Sequence, residues 1–233
     1  MFLLGRCRNA PPTFFHYIRQ GLKKLAEYRT IAQAAQDEFV EKRSRFIGYA
    51  RPVQTEEEAT AFIAEMRSKH WDATHNVYAY ILREGQIQRY SDDGEPQGTA
   101  GIPVLDVLQK SGVTDTVVVV TRYFGGILLG GGGLVRAYSH GASIALKAAG
   151  ILTMRECFLL ELSCDYSQYG RVGSLISECG GVIDDTAFAE DVRIQFHMAP
   201  DLRPSFERKL ADATNGQVTC QGEETQYFAV EGE

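Results

Sequence analysis

The sequence predicts an α+β protein built from two domains. Its 233 residues provide enough chain for two modest domains. The second half reads strand, helix, strand, strand, helix, strand, an order typical of ferredoxin-like domains with an antiparallel sheet and both helices on one face. The first half centres on an apolar, β-branched strand that begins at Val117 and leads through a glycine-rich segment into a helix over 134–149.

The composition is that of an ordinary globular protein, with 44% hydrophobic and 23% charged residues. No apolar run reaches the roughly 18 residues that a membrane helix needs, so we expect no membrane association. The net charge of −6 argues against a broadly basic surface but allows a local basic patch. The odd number of cysteines and the absence of CxxC spacing favour reduced thiols in a cytoplasmic protein: Cys7, Cys157, Cys164, Cys179 and Cys220.

Residues 1–26 differ from the rest, since they contain five basic residues and no acidic one. A targeting segment or a nucleic-acid-binding arm would have such a composition. The apolar stretch is too short for a secretory signal peptide, and serine is absent where a transit peptide would be rich in it. We therefore interpret this segment as a poorly ordered basic extension.

The first domain is predicted over 27–153. A weak strand over 27–32 precedes a strand over 37–51. Thr55 is a good N-cap for the helix that follows, because three glutamates occupy its first turn. The apolar residues of this helix recur at helical spacing: Ala59, Phe62, Ile63 and Met66.

The later elements of the first domain follow in a regular order. A strand over 75–82, a turn at Glu84-Gly85 and a strand over 86–90 form a hairpin pattern. After a polar loop comes a helix with Pro103 in its first turn, which ends at Gly112.

The second domain is predicted over 154–233. Its alternating and helical patterns predict, in order, a strand over 158–164, a helix over 166–179, strands over 182–187 and 192–198, a helix over 202–213 and an interrupted strand over 217–230.

The glycine-rich segment matches neither nucleotide-binding fingerprint. Gly126 and Gly131 have the spacing of a Walker loop, but Gly132 stands where its lysine must be, and Arg136 stands where the dinucleotide fingerprint needs its third glycine. Backbone amides before a helix still make an anion site, to which Arg122 and Arg136 would add charge. Equally, the glycines could serve only to let the strand and the helix pack closely.

A second basic group lies at Lys42, Arg43 and Arg45, in a strand-like run with Phe46 and Tyr49. Alternation predicts Arg43 and Arg45 on one face and Lys42 on the other. Basic residues interleaved with aromatic ones suit RNA, whose phosphates pair and whose bases stack. A solvated edge strand protected by charge is the alternative interpretation.

The polar loop of Ser91, Asp92, Asp93 and Glu95 contains oxygen ligands that a divalent cation could use. Loops of turn-forming acidic residues are more often plain turns, so we predict neither a metal nor a cofactor. No nucleophile, base and oxyanion donors come together in the sequence, so we assign no catalytic residue.

Three motifs together resemble the IMPACT/YigZ family: KRSRFIG at 42–48, SDDGEPQGTAG at 91–101 and TRYFGGILLG at 121–130, continued through Tyr138. The resemblance covers about residues 27–225. It implies that the first domain is like the second domain of small-subunit ribosomal protein five, with a left-handed βαβ crossover. It also implies that the second domain is similar to the last domain of elongation factor G.

The same resemblance implies a link to translation. Eukaryotic members regulate translation by binding a partner of an initiation-factor kinase, through an additional N-terminal domain that this sequence does not contain. For bacterial-type members the resemblance suggests a nucleic-acid or ribosome-associated role, without an established reaction.

We therefore expect a non-enzymatic, cytoplasmic regulator of translation, taken as a monomer, that binds RNA, the ribosome or translation factors. Its phosphate-binding surface would comprise Lys42, Arg43, Arg45, Arg122, Tyr123, Phe124, Gly125, Gly126, Gly131, Gly132, Gly133 and Arg136. One alternative is an enzyme that acts on a small phosphorylated ligand at the glycine-rich segment, with a metal held by the polar loop. The other is a protein-interaction module that uses the second domain.

Overall fold

The computed structural model describes residues 27–230 of the chain. Its elements follow in the order β1 (Glu27–Ile31), β2 (Ala35–Glu41), β3 (Ser44–Pro52), α1 (Glu56–Lys69), β4 (His75–Ile81), β5 (Gln88–Ser91), α2 (Gly101–Ser111), β6 (Thr116–Tyr123), α3 (Gly131–Ala149), β7 (Ile151–Cys164), α4 (Tyr166–Glu178), β8 (Val182–Phe188), β9 (Val192–Met198), α5 (Arg203–Thr214), β10 (Cys220–Gln221) and β11 (Thr225–Val230). They form an α+β structure with two β-sheets, as predicted.

The first sheet has the strand order β2-β3-β6-β4-β5. Both β3 and β4 run antiparallel to β6, so they are parallel to each other, and α1 makes the crossover between them. On β6, Val117 and Val119 pack toward α1, whereas Val118 and Val120 pack toward α2 and α3. Because both faces of β6 are covered, the strand contains an uninterrupted run of β-branched residues without polar alternation. The left-handed crossover stays a prediction.

The first helix begins where the sequence predicted. The Thr55 hydroxyl accepts a hydrogen bond from the amide of Glu58 at 3.2 Å and so caps α1. Its predicted apolar face is buried against the sheet: Ala59, Phe62, Ile63 and Met66.

The predicted single strand over 37–51 is wrong, because the structure has a hairpin of β2 and β3 there. Lys42 and Arg43 form its two-residue turn, with φ angles of 45° and 64°. Such turns need left-handed backbone at both positions and usually contain asparagine or glycine, so the sequence lacked the common signal. Lys42 and Arg43 therefore lie beyond the sheet faces to which alternation assigned them.

The third helix begins at Gly131, three residues earlier than predicted. The sequence placed its start at Leu134 because glycine is a poor helix former. In the structure, Gly131, Gly132 and Gly133 form the first helical turn, and Gly130 is the N-cap, at φ 73° and without a capping side chain.

The second sheet has the ferredoxin-like arrangement predicted for it. Its strands lie in the order β8-β9-β7-β11, and each neighbouring pair is antiparallel. Helices α4 and α5 contribute Val172, Ile176, Phe206 and Leu210 to one apolar core with the sheet. The interrupted last strand is present as β10 and β11.

The seventh strand is longer than predicted and runs through the proposed domain boundary at 153/154. Its N-terminal half pairs with β1, from Glu27 opposite Arg155 to Ile31 opposite Ile151. Although the backbone of β1 belongs to the second sheet, the side chain of Ile31 is buried in the core of the first. The two predicted domains thus share β1.

Several expectations concern the chain ends and the cysteines. The basic extension 1–26 and Cys7 lie outside the described residues. The other four cysteines are free thiols, of which Cys157 and Cys164 are buried. Within residues 27–230, no helix combines the length and apolarity needed to cross a membrane.

Candidate functional site

The two basic motifs of the sequence meet at one end of the first sheet. There β6 ends, the glycine segment (residues 125–133) leads into α3, and the turn of the β2–β3 hairpin lies alongside. The amide of Gly125 donates a hydrogen bond to Ser44 Oγ at 3.2 Å. A Cβ atom at Gly125 would collide with the backbone carbonyl of Arg43, so only glycine allows this approach.

The six glycines of this segment fall into three groups. Gly125 faces the hairpin turn, and a Cβ at Gly133 would lie 2.9 Å from Leu129 Cβ, so close packing accounts for both. A Cβ at Gly130 would have no neighbour within 4 Å. At Gly131 and Gly132 it would meet only side-chain atoms, at 3.9 and 3.8 Å. The positive φ angles of Gly126 and Gly130, 82° and 73°, favour glycine at those two positions. Neither packing nor a positive φ accounts for Gly131 and Gly132.

The start of α3 presents backbone donors to solvent. The first bond of the helix runs from the Leu134 amide to the Gly130 carbonyl at 2.9 Å, so the amides before Leu134 have no acceptor within the helix. Gly131 and Gly132 are exposed, and no side chain caps them. An uncapped helix N-terminus of this kind favours an anion.

Arg122 does not lie on the surface, contrary to the role we predicted for it. Its side chain is only 6% exposed, and Nη1 donates to Glu95 Oε1 at 2.6 Å. The same carboxylate oxygen accepts from the Tyr138 hydroxyl at 2.7 Å. Burial foremost, and then the charge of Glu95, raise the pKa of Tyr138, so it stays a protonated donor.

Glu95 is the residue of this cluster whose role the sequence did not indicate. It was grouped with the acidic loop as an oxygen ligand, yet it is buried and paired with Arg122. His75 lies beside it, with Nε2 at 3.7 Å from Oε1. Only the fold brings these distant positions together, and neither composition nor periodicity indicates the pairing.

The other members of the polar loop are engaged within the protein. Asp92 accepts hydrogen bonds from three backbone amides at and before the start of α2. Asp93 pairs with Arg67 at 2.7 Å, and its amide donates to Ser91 Oγ at 3.1 Å. In the described part of the chain, no three His, Cys, Asp or Glu side chains are grouped to hold a metal ion. The loop thus has the contacts of a structural turn.

The remaining basic residues differ in how far they are paired. Arg45 Nη2 lies 2.6 Å from Glu38 Oε2, so its charge is partly balanced. Lys42, Arg43 and Arg136 are exposed, and none of them forms an ion pair with a residue between 27 and 230.

Lys42 and Arg136 line one depression of about 330 Å³, which we call the basic groove. The residues that line it are Phe39, Glu41, Lys42, Leu129, Gly133, Arg136, Ala137 and His140. Arg43 is the other residue of the hairpin turn, next to Lys42.

The aromatic candidates also differ from each other. The Tyr123 hydroxyl lies 2.8 Å from His70 Nδ1 and 3.1 Å from Asp72, so Tyr123 belongs to a local polar network. Burial lowers the pKa of His70 in this network. Phe124 is 45% exposed and can offer its ring to a ligand. Trp71, which we did not select from the sequence, is 82% exposed.

A larger depression, of about 640 Å³, lies on the second sheet. Leu159, Phe196 and Phe228 contribute its apolar lining, and its charged residues are Glu161, Asp184 and Glu224. Because this lining contains no basic residue, it does not suit a phosphate backbone.

Comparison with known proteins matches one family model to a part of each predicted domain. Residues 42–146 match the family described as the Impact N-terminal domain, and residues 162–217 match a domain of unknown function, DUF1949. The chain is 38% identical over 205 residues to the IMPACT family member YvyE of Bacillus subtilis (strain 168), covering 88% of this chain and 94% of that protein. The chain belongs to the IMPACT family.

Other relatives match different shares of the chain. The chain is 38% identical to YigZ of Escherichia coli (strain K12), with 76% of this chain and 88% of YigZ covered. The chain is 35% identical over 96 residues to Protein IMPACT of Mus musculus, which covers 39% of this chain and 30% of that protein. A crystal structure of a hypothetical protein matches at a TM-score of 0.54 and 34% identity, covering 89% and 98% of the two chains.

Proposed function

We propose that this IMPACT family member is a non-enzymatic, translation-linked protein that binds RNA through the basic groove and the adjoining hairpin turn. One observation carries the proposal. On a chain of net charge −6, the exposed cations Lys42, Arg43 and Arg136 stand together without ion-pair partners among residues 27–230. Unbalanced cations beside an uncapped helix N-terminus attract phosphate groups.

The surface is small, and this limits the expected interaction. Three cations that each neutralise one phosphate of a single strand would give a slope of roughly −2 in log K against log salt concentration. Glu41 also lines the groove and reduces its positive potential. We therefore expect binding that is local and readily weakened by salt, instead of a broad electrostatic footprint.

Aromatic side chains near the groove would add sequence-independent contacts. Phe39 lines it and packs against His140, with ring centroids 4.5 Å apart. Phe124, exposed at the end of β6, offers a face on which a base can stack. Stacking of this kind contributes about 1–3 kcal/mol per base in single-strand binding. The resemblance to eukaryotic IMPACT proteins supports only the link to translation, and the RNA partner is inferred from the surface itself.

The test compares two triple variants of equal charge. Binding of short single-stranded and hairpin RNAs and of ribosomes would be measured at several salt concentrations. We expect Lys42→Ala/Arg43→Ala/Arg136→Ala to bind at least about tenfold more weakly at low salt and to lose most of the salt dependence. The control, Arg171→Ala/Arg208→Ala/Lys209→Ala, removes three exposed cations of the second domain.

Two results would contradict the proposal. Equal weakening by the two triple variants would mean that net charge, and not this surface, controls the interaction. Negligible binding of the unmodified protein to every RNA and to ribosomes at low salt would remove RNA as the partner.

A further inference from the structure

A separate pocket of about 390 Å³ lies beside the basic groove, with Leu129 lining both. Its polar side contains Arg122, Glu95 and His75, and Gly130 and Gly131 contribute the start of α3. A pocket of this volume is large enough for a small organic ligand.

One hydrogen-bond donor of a pocket-lining residue, the Nε of Arg122, has no acceptor in the described chain. Arg122 Nε is buried and has no hydrogen-bond partner among the described residues, although Nη1 of the same guanidinium is bonded to Glu95. Leaving a buried donor unpaired costs about 1–3 kcal/mol. Because Arg122 lines the pocket, a ligand oxygen that reaches Nε would satisfy this donor.

The glycines at the pocket edge provide a second, independent observation. Glycine is a poor helix former, yet Gly131 and Gly132 stand in the first turn of α3, where packing does not require glycine. At Gly131 the nearest side-chain neighbour of an added Cβ would be Thr99 Cγ2 at 3.9 Å. Packing within the described chain therefore does not explain why glycine stands at this position.

The pocket also has an apolar side. Phe124 is 45% and Leu128 is 82% exposed, and both line the pocket together with Pro96 and Leu134. An exposed leucine and an exposed phenylalanine in one pocket lining provide apolar surface for a flat, weakly polar group. The apolar side and the donors at the helix start thus present two kinds of contact to one ligand.

We propose that this pocket binds a phosphate monoester with a flat organic body, the chemistry of a nucleoside monophosphate. The phosphate would accept hydrogen bonds from the amides at the start of α3 and from Arg122 Nε. The flat body would lie against Phe124 and Leu128. Because Glu95 and Arg122 neutralise each other, the attraction comes mainly from the helix N-terminus, and the affinity is modest.

This chemistry occurs both in a free mononucleotide and at the 5′ end of an RNA. The two proposals share Leu129, Phe124 and the start of α3. This proposal nevertheless does not use Lys42, Arg43 and Arg136, the cations on which the proposed RNA binding depends. A failure of either proposal leaves the other standing.

The first experiment is an NMR titration of the labelled protein with adenosine 5′-monophosphate, inorganic phosphate and adenosine. We expect the monophosphate to shift the amides from Gly130 to Leu134 and to bind about tenfold more tightly than phosphate or adenosine. Absence of shifts at millimolar monophosphate would overturn the proposal. So would shifts confined to the residues around Lys42 and Arg136.

A charge placed at the helix start gives the sharper test. An aspartate at the first turn of a helix favours the helix, yet it would repel a phosphate at the same amides. We therefore expect Gly131→Asp to keep the unfolding temperature and to weaken monophosphate binding at least about tenfold. Ser167→Asp, which places the same charge in the first turn of α4, should not alter binding.

A second variant tests the apolar wall. Leu128→Ala should weaken binding of the monophosphate about threefold to tenfold and leave binding of inorganic phosphate unchanged. Because Leu128 is highly exposed, the variant should keep its stability. Unchanged monophosphate binding in both Gly131→Asp and Leu128→Ala would overturn the proposal even if the ligand binds elsewhere.

Two RNAs that differ only in whether the 5′ end carries a phosphate distinguish the two sources of the ligand. A short RNA with a 5′ phosphate that binds more tightly than its 5′-hydroxyl counterpart, and competes with adenosine 5′-monophosphate, identifies an RNA end. Equal binding of the two RNAs, with the mononucleotide shifts retained, identifies a free mononucleotide.

Discussion

Gly125 and Gly132 belong to the same glycine segment but meet opposite surroundings. A Cβ at Gly125 would collide with the backbone of the hairpin turn, whereas one at Gly132 would find Arg136 Nη1 at 3.8 Å, an ordinary contact. The first glycine is required by the fold and the second is not. The glycine-rich appearance of the segment therefore has two separate physical origins.

This difference predicts opposite effects of one methyl group. Gly125→Ala should lower the free energy of unfolding by about 1–3 kcal/mol, because the hairpin turn must move away. Gly132→Ala should be neutral or stabilise by up to about 1 kcal/mol, because alanine favours the helix. Urea denaturation of both variants measures the difference. A Gly125→Ala protein as stable as the unmodified one would contradict the assigned packing.

The Glu95 carboxylate joins three elements of the first domain. It lies in the segment between β5 and α2 and accepts from Arg122 on β6 and Tyr138 on α3. The side chains of Glu95 and Arg122 are 4% and 6% exposed, so their charges have little solvent to stabilise them individually. A buried pair of this kind becomes costly when one partner is removed.

Glu95→Gln should therefore destabilise the protein strongly. The variant leaves the Arg122 charge buried without a counter-ion, which costs about 3–5 kcal/mol in comparable cases. The matched control is Glu38→Gln, which removes the acid from the exposed pair with Arg45 and should cost less than about 1 kcal/mol. The free energies of unfolding in urea distinguish them. Similar losses in the two variants would contradict a structural role for the Glu95–Arg122 pair.

Contacts between the two sheets make the chain more than two domains in series. Arg83, which follows β4, places its guanidinium carbon 4.4 Å from the ring centroid of Tyr28 and 4.9 Å from that of Tyr227. These rings belong to β1 and β11 and lie 5.0 Å apart. Asp115, before β6, holds Arg83 Nε at 3.3 Å. The first domain thus contacts the second sheet through one cation and two aromatic rings.

A double-mutant cycle measures this link. Arg83→Ala and Tyr227→Ala should together cost less than the sum of the single variants, with a coupling free energy of about 0.5–1 kcal/mol. Arg83→Ala combined with Tyr166→Ala, an exposed tyrosine on α4, should be additive within about 0.5 kcal/mol. Equal coupling free energies in the two cycles would contradict a specific contact between the sheets.

Much of the fold was predictable because its signals are local. Thr55 caps α1 through a bond to a residue three positions away, and helical spacing selected the buried face that follows it. The ferredoxin-like order followed from short alternating and helical patterns. The position of the glycine segment between β6 and α3 was also readable, since glycine runs interrupt the patterns on either side.

The site was only partly predictable because its geometry depends on residues far apart in the chain. Nothing near Arg122 indicates that it is buried against Glu95, 27 positions earlier. The paired β1 and β7 are separated by more than 100 residues, as the 128-residue spacing of Glu27 and Arg155 illustrates. Whether a charged side chain is exposed, and which strand a weak strand pairs with, depends on the parts of the chain that pack nearby.

The order of residues alone therefore specified two α+β domains, the central β-branched strand, the glycine segment and the IMPACT family motifs, because each is encoded by neighbouring residues. The tertiary structure decided that Arg122 is internal, that Lys42 and Arg136 share a groove, and that Gly131 opens onto a pocket. Those facts depend on which surfaces meet when the chain packs. Contacts between residues far apart in the chain produce no local periodicity, so the sequence pattern does not predict them.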